Sequence, residues 1–352
     1  MSIPHPHTII IGAGLSGLSA AYALAQAGDT DFVILESRDR IGGRIHTVEH
    51  IDFGATWFHD HHEALDTLMK ELGVKQFPQS RAGKSVLVYS TMAPAHFFET
   101  DPNSPAASRI AGGSMRLIET LAAPVQECIN LNVTVTGIEE RTDGIIVKTN
   151  RGDYHAQQVI TTIPPRIATR ITYEPPLATE LTSAMESTHT WMSNAIKIGM
   201  RFKTPFWREK GLSGTMIGQV GPVVELYDHT DVKQEYFALM GFVNEALRDR
   251  SPEQRKTRIL DYLAQYLGEG IRDYVYYEEK DWTKDRDTSC ESIKSIYMSP
   301  QYGNPVFQTP AMNGKLIFAG TEISPVHGGY MDGAVRMGFV AASSVTKGRL
   351  KQ

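Results

Sequence analysis

The chain has 352 residues, which at about 150 residues per domain predicts two domains and a core that needs no disulfides or metals. The net charge of −5 at pH 7 excludes a strongly basic nucleic-acid-binding protein, so we expect no nucleic-acid partner. The two cysteines, Cys128 and Cys290, are too few for a disulfide framework and fit a reducing compartment.

The apolar stretch over residues 8–28 is about as long as a membrane span. It is interrupted by three glycines, and residues 1–7 contain no Lys or Arg that would begin a secretory signal. The other end of the chain carries no hydrophobic tail and no lipidation motif. We therefore expect a cytoplasmic protein without a membrane anchor.

The first hundred residues predict a β-α-β unit and a surface helix. A short apolar strand over residues 8–11 is followed by a helix over 16–27 with Gly28 as its cap, and a second strand over 32–35 ends at Glu36. Apolar spacing predicts a helix over 62–72. Residues 78–108 are expected to form loops, with a strand over 85–89.

Farther along the chain, the pattern changes between helix and strand. We expect a helix over 115–123 and a three-stranded meander over 132–163. In the next strand, Ile198, Met200 and Phe202 form a buried face and Lys197 lies on the other face. Strands over 235–243 and 273–279 flank a helix over 252–267, and the chain closes with a strand over 315–319 and a helix over 332–345.

A glycine motif joins the first strand to the first helix. Gly12, Gly14 and Gly17 fit the G-x-G-x-x-G pattern, which lets the backbone approach a pyrophosphate at the start of a helix. Glu36, at the end of the second strand, is placed to accept hydrogen bonds from ribose hydroxyls. The pattern predicts a dinucleotide site but does not separate NAD from FAD.

Two arginines follow this unit. For Arg40 we expect a solvated basic side chain. Arg44 comes after Gly42 and Gly43, and flexible backbone beside a guanidinium suits a bidentate contact to phosphate.

Several stretches of the sequence resemble the flavin-containing amine oxidase family. Near the start these are ESRDRIGGR at residues 36–44 and DFGATW at 52–57. Near the end they are IFAGTE at 317–322 and GGYMDGA at 328–334. Between them, NAIK at 194–197, PFWR at 205–208 and YEEKDW at 277–282 are similar to monoamine oxidase segments in the same order.

The resemblance implies a set of FAD-binding residues. The ADP half would be held by Ser16, Glu36, Arg38, Gly43 and Arg44, and Val135 would contact adenine through its backbone. The flavin half would be bound by the two family segments and their neighbours: Gly54, Ala55, Thr56, Trp57, Trp282, Gly320, Thr321, Glu322 and Met331. A helix starting near Met331 would point its positive end at the flavin N1/O2 region.

The resemblance also implies residues near the reaction centre. Lys197 matches the lysine that holds a water against flavin N5. Tyr330 matches one wall of an aromatic cage that steers a neutral amine, and Trp282 would stack near the flavin ring.

Two positions depart from the monoamine oxidase pattern. Cys290 matches a cysteine that carries covalent flavin, but the preceding Thr288 and Ser289 replace the paired glycines of the family. We therefore expect non-covalent FAD, with a covalent link at Cys290 as the alternative. Glu291 replaces the second aromatic wall with a carboxylate, which would favour a cationic or polyamine-like substrate if it faces the pocket.

Residues 59–62 contain three histidines and an aspartate. We expect no metal site, because adjacent residues cannot all converge on one ion and the spacing shows no distant ligands. His59 alone is similar to a histidine that lines the substrate channel of polyamine oxidases, so we expect it in the pocket.

Together these features imply an α/β fold with a Rossmann-like FAD-binding domain and an interleaved, sheet-based substrate domain. The first would comprise residues 1–78, 107–172 and 285–352, and the second 79–106 and 173–284. The family usually has a helical insertion between Val86 and Gly112, which this chain lacks. A second copy or another partner would then cover the wider entrance.

The expected activity is oxidation of a primary or secondary amine, with hydride transfer to flavin N5 and reoxidation by O2 to H2O2. Two alternatives keep FAD. One is a dehydrogenase, desaturase or redox-neutral flavoenzyme acting on a bulky substrate, and the other is a flavin-bearing binding module that works with a partner.

Overall fold

A five-stranded parallel sheet lies at the centre of the first core. The structure is a computed structural model that describes residues 5–90, 92–290 and 301–349. The strands of this sheet, in spatial order, are Leu316–Phe318, Gln158–Thr161, Thr8–Ile11, Phe32–Leu35 and Ile129–Asn130. The expected apolar strands over 8–11 and 32–35 are confirmed. Because all five strands are parallel, their carboxyl ends meet at one edge, where parallel sheets bind ligands.

Several of the helices in the described ranges pack in the same core as this sheet. The described helices are Leu15–Gln26, Glu63–Glu71, Met115–Ala122, Pro165–Ala168, Thr179–Ser187, Phe206–Glu209, Pro252–Leu267 and Met331–Arg349. The first and last pack closely, since a Cβ on Gly338 would lie 2.4 Å from the Ser16 carbonyl oxygen. Gly28 follows the first helix with φ of 80°, as expected for its cap. No helix in the described ranges is long and apolar enough to cross a membrane.

A smaller sheet covers one end of the first core. It contains Val135–Arg141, Gly144–Thr149 and Gly152–Ala156 as an antiparallel meander, with Thr172–Glu174 parallel to the first of them. The meander over 132–163 is thus confirmed in its first three strands. The remaining strand of that segment, Gln158–Thr161, instead joins the parallel sheet, because Val159 and Ile160 are fully buried there. Two short ladders pair Thr47–Val48 with Ile51–Asp52 and Gln76–Pro78 with Ser108–Ile110.

A seven-stranded sheet forms the second core. Its spatial order is Tyr274–Asp281, Ile196–Phe202, Phe237–Val243, Val223–Asp228, Leu212–Gly218, Lys84–Val88 and His96–Glu99. The helix Pro252–Leu267 packs into this core with Ile259 and Leu263, which are both fully buried. The expected helix over 252–267 is confirmed at both ends.

The strand Ile196–Phe202 differs from its prediction. We expected one buried face, but only Arg201 of the seven residues is partly exposed. The segment around Phe53 covers the second face so closely that a Cβ on Gly199 would lie 2.7 Å from the Phe53 Cζ atom. Lys197 is therefore buried as well, with 1% of its surface exposed.

The region that we expected to lack a helical insertion contains a hairpin strand, His96–Glu99, and a short strand, Ser108–Ile110. The described residues between 85 and 111 form no helix. The domain boundaries stay a prediction. All strands of the second core lie within 79–106 and 173–284, but the helix Thr179–Ser187 packs into the first core through Leu181 and Met185, which favours a boundary after this helix.

Candidate cofactor and active site

A cavity of about 380 Å³ opens at the carboxyl edge of the parallel sheet. Its wall combines segments from both ends of the chain. The predicted residues that line it are Gly12, Gly14, Ser16, Glu36, Arg38, Gly43, Arg44, Ala55, Val135, Gly320, Thr321, Tyr330 and Met331. The predicted cofactor residues outside the lining are Gly17, Gly54, Thr56, Trp57, Trp282 and Glu322.

The glycine loop is shaped by close backbone packing. Gly12 has φ of 103°, which side-chain-bearing residues rarely adopt. A Cβ on Gly17 would lie only 2.0 Å from the Gly12 carbonyl oxygen, so Gly17 lets the helix start against the loop. The second glycine segment packs on the first through a hydrogen bond from the Gly42 N–H to the Ala13 carbonyl oxygen, at 2.9 Å.

Two features of the cavity wall fit a dinucleotide phosphate. The hydroxyl of Ser16 is buried, and among the described residues nothing pairs with it. The helices Leu15–Gln26 and Met331–Arg349 both begin at the wall, where amide N–H groups lack intrahelical partners. Unpaired donors at helix starts favour an anion, so the residues present fit a bound dinucleotide.

Glu36 and Arg38 form the expected ribose end of the cavity. The Glu36 carboxylate accepts the Ala13 N–H at 2.8 Å and the Arg38 N–H at 3.0 Å, which fixes it against the glycine loop. The Arg38 guanidinium donates to Asp285 at 2.6 Å and to the Thr288 hydroxyl at 2.9 Å. The carboxylate is thus oriented by backbone before any ligand binds.

The partly exposed Arg44 forms a bidentate ion pair with the buried Glu322. Glu322 also accepts the Thr190 hydroxyl at 2.6 Å. Burial opposes ionisation of Glu322, but the Arg44 charge and the hydrogen bonds outweigh it and hold its pKa below the usual value. Arg44 lines the cavity while its Nη atoms face Glu322, so here it joins the two family segments rather than presenting a free fork.

The expectation for Arg40 is wrong. Its guanidinium folds back and donates to the carbonyl oxygens of Ile41, Gly43 and Ile45 at 2.9–3.2 Å. Glycine-rich loops leave carbonyl groups without ladder partners, and Arg40 satisfies three of them. Arg40 therefore stabilises the conformation of the glycine-rich loop.

Lys197 lies behind the cavity wall and not in it. Its Nζ donates to the carbonyl oxygens of Asp52 and Gly54, at 2.9 and 2.8 Å, and contacts the Thr56 hydroxyl at 3.1 Å. Burial lowers the pKa of Lys197 to about 7, against the opposing effect of the Asp52 charge. In this arrangement the amine holds the segment 52–56 in place.

A polar network beneath Lys197 was not predicted from the sequence. The buried Asp52 carboxylate accepts the Thr47 hydroxyl at 2.5 Å and the Ser114 N–H at 2.9 Å, and the Asp52 N–H donates to His229 Nε2. Burial lowers the pKa of His229 to about 4, so its ring is neutral. Arg109 donates to the His229 carbonyl oxygen at 3.1 Å.

Of the three predicted aromatic residues, Tyr330 lines the cavity, whereas Trp57 and Trp282 lie outside its lining. Trp282 is fully buried and donates its indole N–H to the Phe53 carbonyl oxygen at 2.7 Å. Trp57 donates to the Gln79 side chain at 2.8 Å and packs with Trp282 in one apolar cluster. Tyr330 is half exposed and lines the cavity.

The remaining predicted residues lie apart from the cavity. His59 stacks on His61, with ring centroids 5.4 Å apart, and does not line the cavity. Cys290 lines a smaller neighbouring cleft with Thr190 and Ser193. Glu291 lies outside the described residues.

The cavity also contains residues that the sequence reasoning missed. Arg170 and Arg286 line its outer part, and Arg170 donates to the carbonyl oxygens of Arg286 and Ser289, at 2.5 and 3.1 Å. Thr162 lies at its base and donates to the Ile11 carbonyl oxygen at 2.8 Å. Thr162 follows a buried strand directly, as Gly12 does, and this position was the available signal.

Comparison with known proteins places the chain in a family. Residues 15–97 and 79–346 match the family described as flavin containing amine oxidoreductase. The chain is 26% identical to a probable flavin-containing monoamine oxidase A from Dictyostelium discoideum, over 96% of each chain. It is also 26% identical to a putrescine oxidase from Kocuria rosea, over 96% of this chain and 94% of that protein.

A solved structure of a putrescine oxidase variant has the same fold. It matches with a TM-score of 0.84 and 25% identity, over 98% of this chain and 99% of that chain. The alignment with the Dictyostelium protein extends over 451 positions, more than the 352 residues of this chain, so that relative has segments without a counterpart here. The family resemblance and the α/β fold are confirmed: the chain belongs to the flavin-containing amine oxidoreductases and is a flavin-dependent enzyme.

Proposed function

We propose that the protein binds FAD without a covalent link and oxidises a primary or secondary amine. The observation that carries this proposal is that one cavity contains both the glycine loop with the unpaired Ser16 hydroxyl and the aromatic wall at Tyr330. A dinucleotide in the loop would thus extend toward a surface suited to an amine. Flavin content and amine oxidation are separate measurements, so either half of the proposal can fail alone.

The ADP half would be held mostly by backbone. The N–H groups at the start of Leu15–Gln26, with the Ser16 hydroxyl, would donate to the pyrophosphate. Glu36 would accept from the ribose, and Val135 would contact adenine. At the other end, the positive end of Met331–Arg349 would stabilise negative charge on the reduced flavin.

The position of Cys290 supports non-covalent binding. Cys290 lines the neighbouring cleft rather than the main cavity, on the side of Thr190 and Ser193. Cys290 is not among the residues that line the main cavity, where the cofactor is proposed to bind. A covalent link at Cys290 is the alternative, and acid precipitation of the protein distinguishes the two.

FAD supplies the hydride acceptor at N5 and, through reoxidation by O2, the route to H2O2. Tyr330 would orient the neutral amine beside the cofactor, and the apolar cluster of Trp57 and Trp282 would exclude water. Lys197 would position residues 54–56 through its two carbonyl contacts. To hold a water as well, it must exchange one of its three oxygen partners.

Two considerations support the proposed substrate class. Two of the similar proteins are putrescine oxidases, whose named substrate carries two amino groups. Glu291 would favour a second cationic group on the substrate if its carboxylate faces the pocket. We therefore propose a diamine or polyamine-like substrate, with a second copy or another partner covering the wide entrance.

The test begins with the visible spectrum of untagged, purified protein before and after acid precipitation. We expect flavin absorbance that moves entirely to the supernatant, in wild type and in Cys290→Ser alike. Flavin in the wild-type pellet that Cys290→Ser abolishes would establish the covalent alternative. Protein that neither contains nor takes up FAD would contradict the cofactor assignment.

The second stage titrates the flavin-loaded protein with diamines and monoamines without oxygen, then admits air. We expect bleaching by an amine and one H2O2 per amine on reoxidation. Bleaching without H2O2 would indicate a dehydrogenase. Absence of bleaching by every amine would overturn the amine assignment and favour the other flavin chemistries.

A further inference from the structure

A cluster of histidines lies beside the cavity mouth, and it includes a residue from the other end of the chain. The ring centroids of His61 and His62 are 4.7 Å apart, and that of His327 is 5.1 and 4.7 Å from them. One ring nitrogen from each histidine lies within 4.8 Å of the other two. The sequence spacing gave no distant ligand for His61 and His62, but the fold supplies His327.

His327 is oriented by a carboxylate. Its Nδ1 lies 2.8 Å from the Asp332 Oδ2 atom, and Asp332 also accepts the Leu65 N–H at 2.9 Å. When the neutral ring donates its Nδ1–H to this carboxylate, Nε2 is the nitrogen that carries the lone pair for a ligand. Histidines that bind a metal usually donate their other ring N–H to a carboxylate in this way.

The turn that presents His327 is tightly fixed. His327 has φ of 51°, in the left-handed region that few side-chain-bearing residues adopt. A Cβ on Gly333 would lie 2.5 Å from the His327 carbonyl oxygen, so the turn packs directly on the last helix. Asp332 is in the first turn of that same helix, and ring and carboxylate are therefore held together.

From these contacts, we propose that His61, His62 and His327 bind a divalent transition-metal ion of the Zn²⁺ class. Three imidazoles leave one coordination position for water or another ligand. Tetrahedral coordination needs nitrogens closer than 4.8 Å, and the exposed His61 ring can turn toward the other two at the expense of its stacking on His59. His62 Nδ1 accepts the His59 N–H at 3.3 Å, and coordination through this atom would replace that long hydrogen bond.

The ion would lie next to the substrate entrance. The His62 ring is 5.0 Å from the Tyr330 ring, and Tyr330 lines the cavity. Tyr330 and His327 share one turn, joined by a hydrogen bond from the Tyr330 N–H to the His327 carbonyl oxygen. A bound ion would thus restrict the Tyr330 turn, whatever the substrate of the enzyme is.

The test is calorimetric titration of untagged, metal-stripped, flavin-loaded protein with Zn²⁺. We expect one Zn²⁺ per wild-type chain and an affinity at least tenfold weaker in His61→Ala and in His327→Ala. Asp332→Asn should weaken binding by about 10- to 100-fold, because it alters the group that orients the His327 ring and removes no ligand. His96→Ala is the matched control, since His96 is exposed on a distant strand and should leave binding unchanged.

His61→Ala keeps the test decisive if the buried positions prevent folding, because His61 is exposed. Flavin content and thermal unfolding of each variant report whether it is folded. The proposal is overturned if wild type and His61→Ala bind Zn²⁺ equally, or if His96→Ala loses as much affinity as His61→Ala. Neither result depends on amine oxidation, so failure here leaves the proposed activity untouched.

Discussion

In one region of the molecule the contacts are made by backbone atoms, and in a neighbouring region they are made by buried side chains. The glycine-loop side of the cavity is formed by backbone, with Gly17 against the Gly12 carbonyl and the Gly42 N–H on Ala13. The region behind residues 52–56 is formed by buried ionisable side chains, above all Lys197 and Asp52. In the first region, tolerance of substitutions is limited by the space for added atoms. In the second, it is limited by the hydrogen-bond partners that each buried polar group needs.

This difference predicts opposite sensitivities. Added atoms should damage the backbone region, since nothing there can move aside without breaking the loop. Removed atoms should damage the side-chain region, because each lost donor leaves a buried acceptor unpaired.

The largest effect is expected for Gly17→Ala. Its new methyl group would lie 2.0 Å from the Gly12 carbonyl oxygen, so the loop must shift away from the phosphate position. We expect FAD affinity to fall about 100-fold, equal to about 2.7 kcal/mol. The measurement is the flavin-to-protein ratio after purification, followed by FAD titration of the stripped protein.

Gly28→Ala is the matched control at the other end of the same helix. A Cβ at Gly28 meets nothing within 4 Å, and its cost is confined to the left-handed backbone, about 1 kcal/mol of stability. Its flavin content should be normal. Equal flavin loss in both variants would mean that helix stability, and not the loop contact, governs binding.

A smaller effect is expected for Lys197→Met, which keeps the length of the side chain but removes the donors to Asp52 and Gly54. FAD should be retained, and turnover or flavin reoxidation should slow at least tenfold, equal to about 1.4 kcal/mol of barrier. Rapid mixing with substrate and then with O2 separates the two steps.

The control for this variant is Lys203→Met, an exposed lysine just after the same strand, which should leave both rates unchanged. Wild-type rates for Lys197→Met with any good amine would show that the buried amine has no part in catalysis.

The smallest effect is the pH dependence of stability that Lys197 should cause. Its pKa is about 7 in the folded protein and ordinarily 10.5, so between these values only the unfolded chain binds the proton. Stability therefore rises with pH in this window and is lost as pH falls toward 7. From pH 6 to 8, wild type should gain about 1 kcal/mol relative to Lys197→Met in denaturant unfolding. Parallel pH curves for the two proteins would contradict a lowered pKa.

The sequence revealed the backbone region well, for a physical reason. A loop made of close contacts requires glycine at fixed spacings, and the spacing of Gly12, Gly14 and Gly17 is visible without a fold. The flanking strands were equally visible because a parallel strand is apolar on both faces. Glycine spacing and apolar strands together are therefore sufficient to predict a dinucleotide-binding loop at this position.

The side-chain region was hidden for the complementary reason. Lys197 alternates with apolar residues as an exposed lysine would, and only the packing of Phe53 on Gly199 reveals its burial. His229 contacts Asp52, and Arg109 contacts His229, each from a distant segment, so no local pattern marks them. Arg40 was expected to be solvated, but it donates to carbonyl oxygens that come together only in the folded loop.

The ion pair of Arg44 and Glu322 also affects the order in which the chain can fold during synthesis. Its partners are 278 residues apart, and the last helix packs on the first. A growing chain that has left the ribosome through residue 300 has its glycine loop but neither Glu322 nor that helix. Contacts of such long range form late and slow folding. The cavity wall is therefore complete only after its lining residues between 320 and 334 have been synthesised.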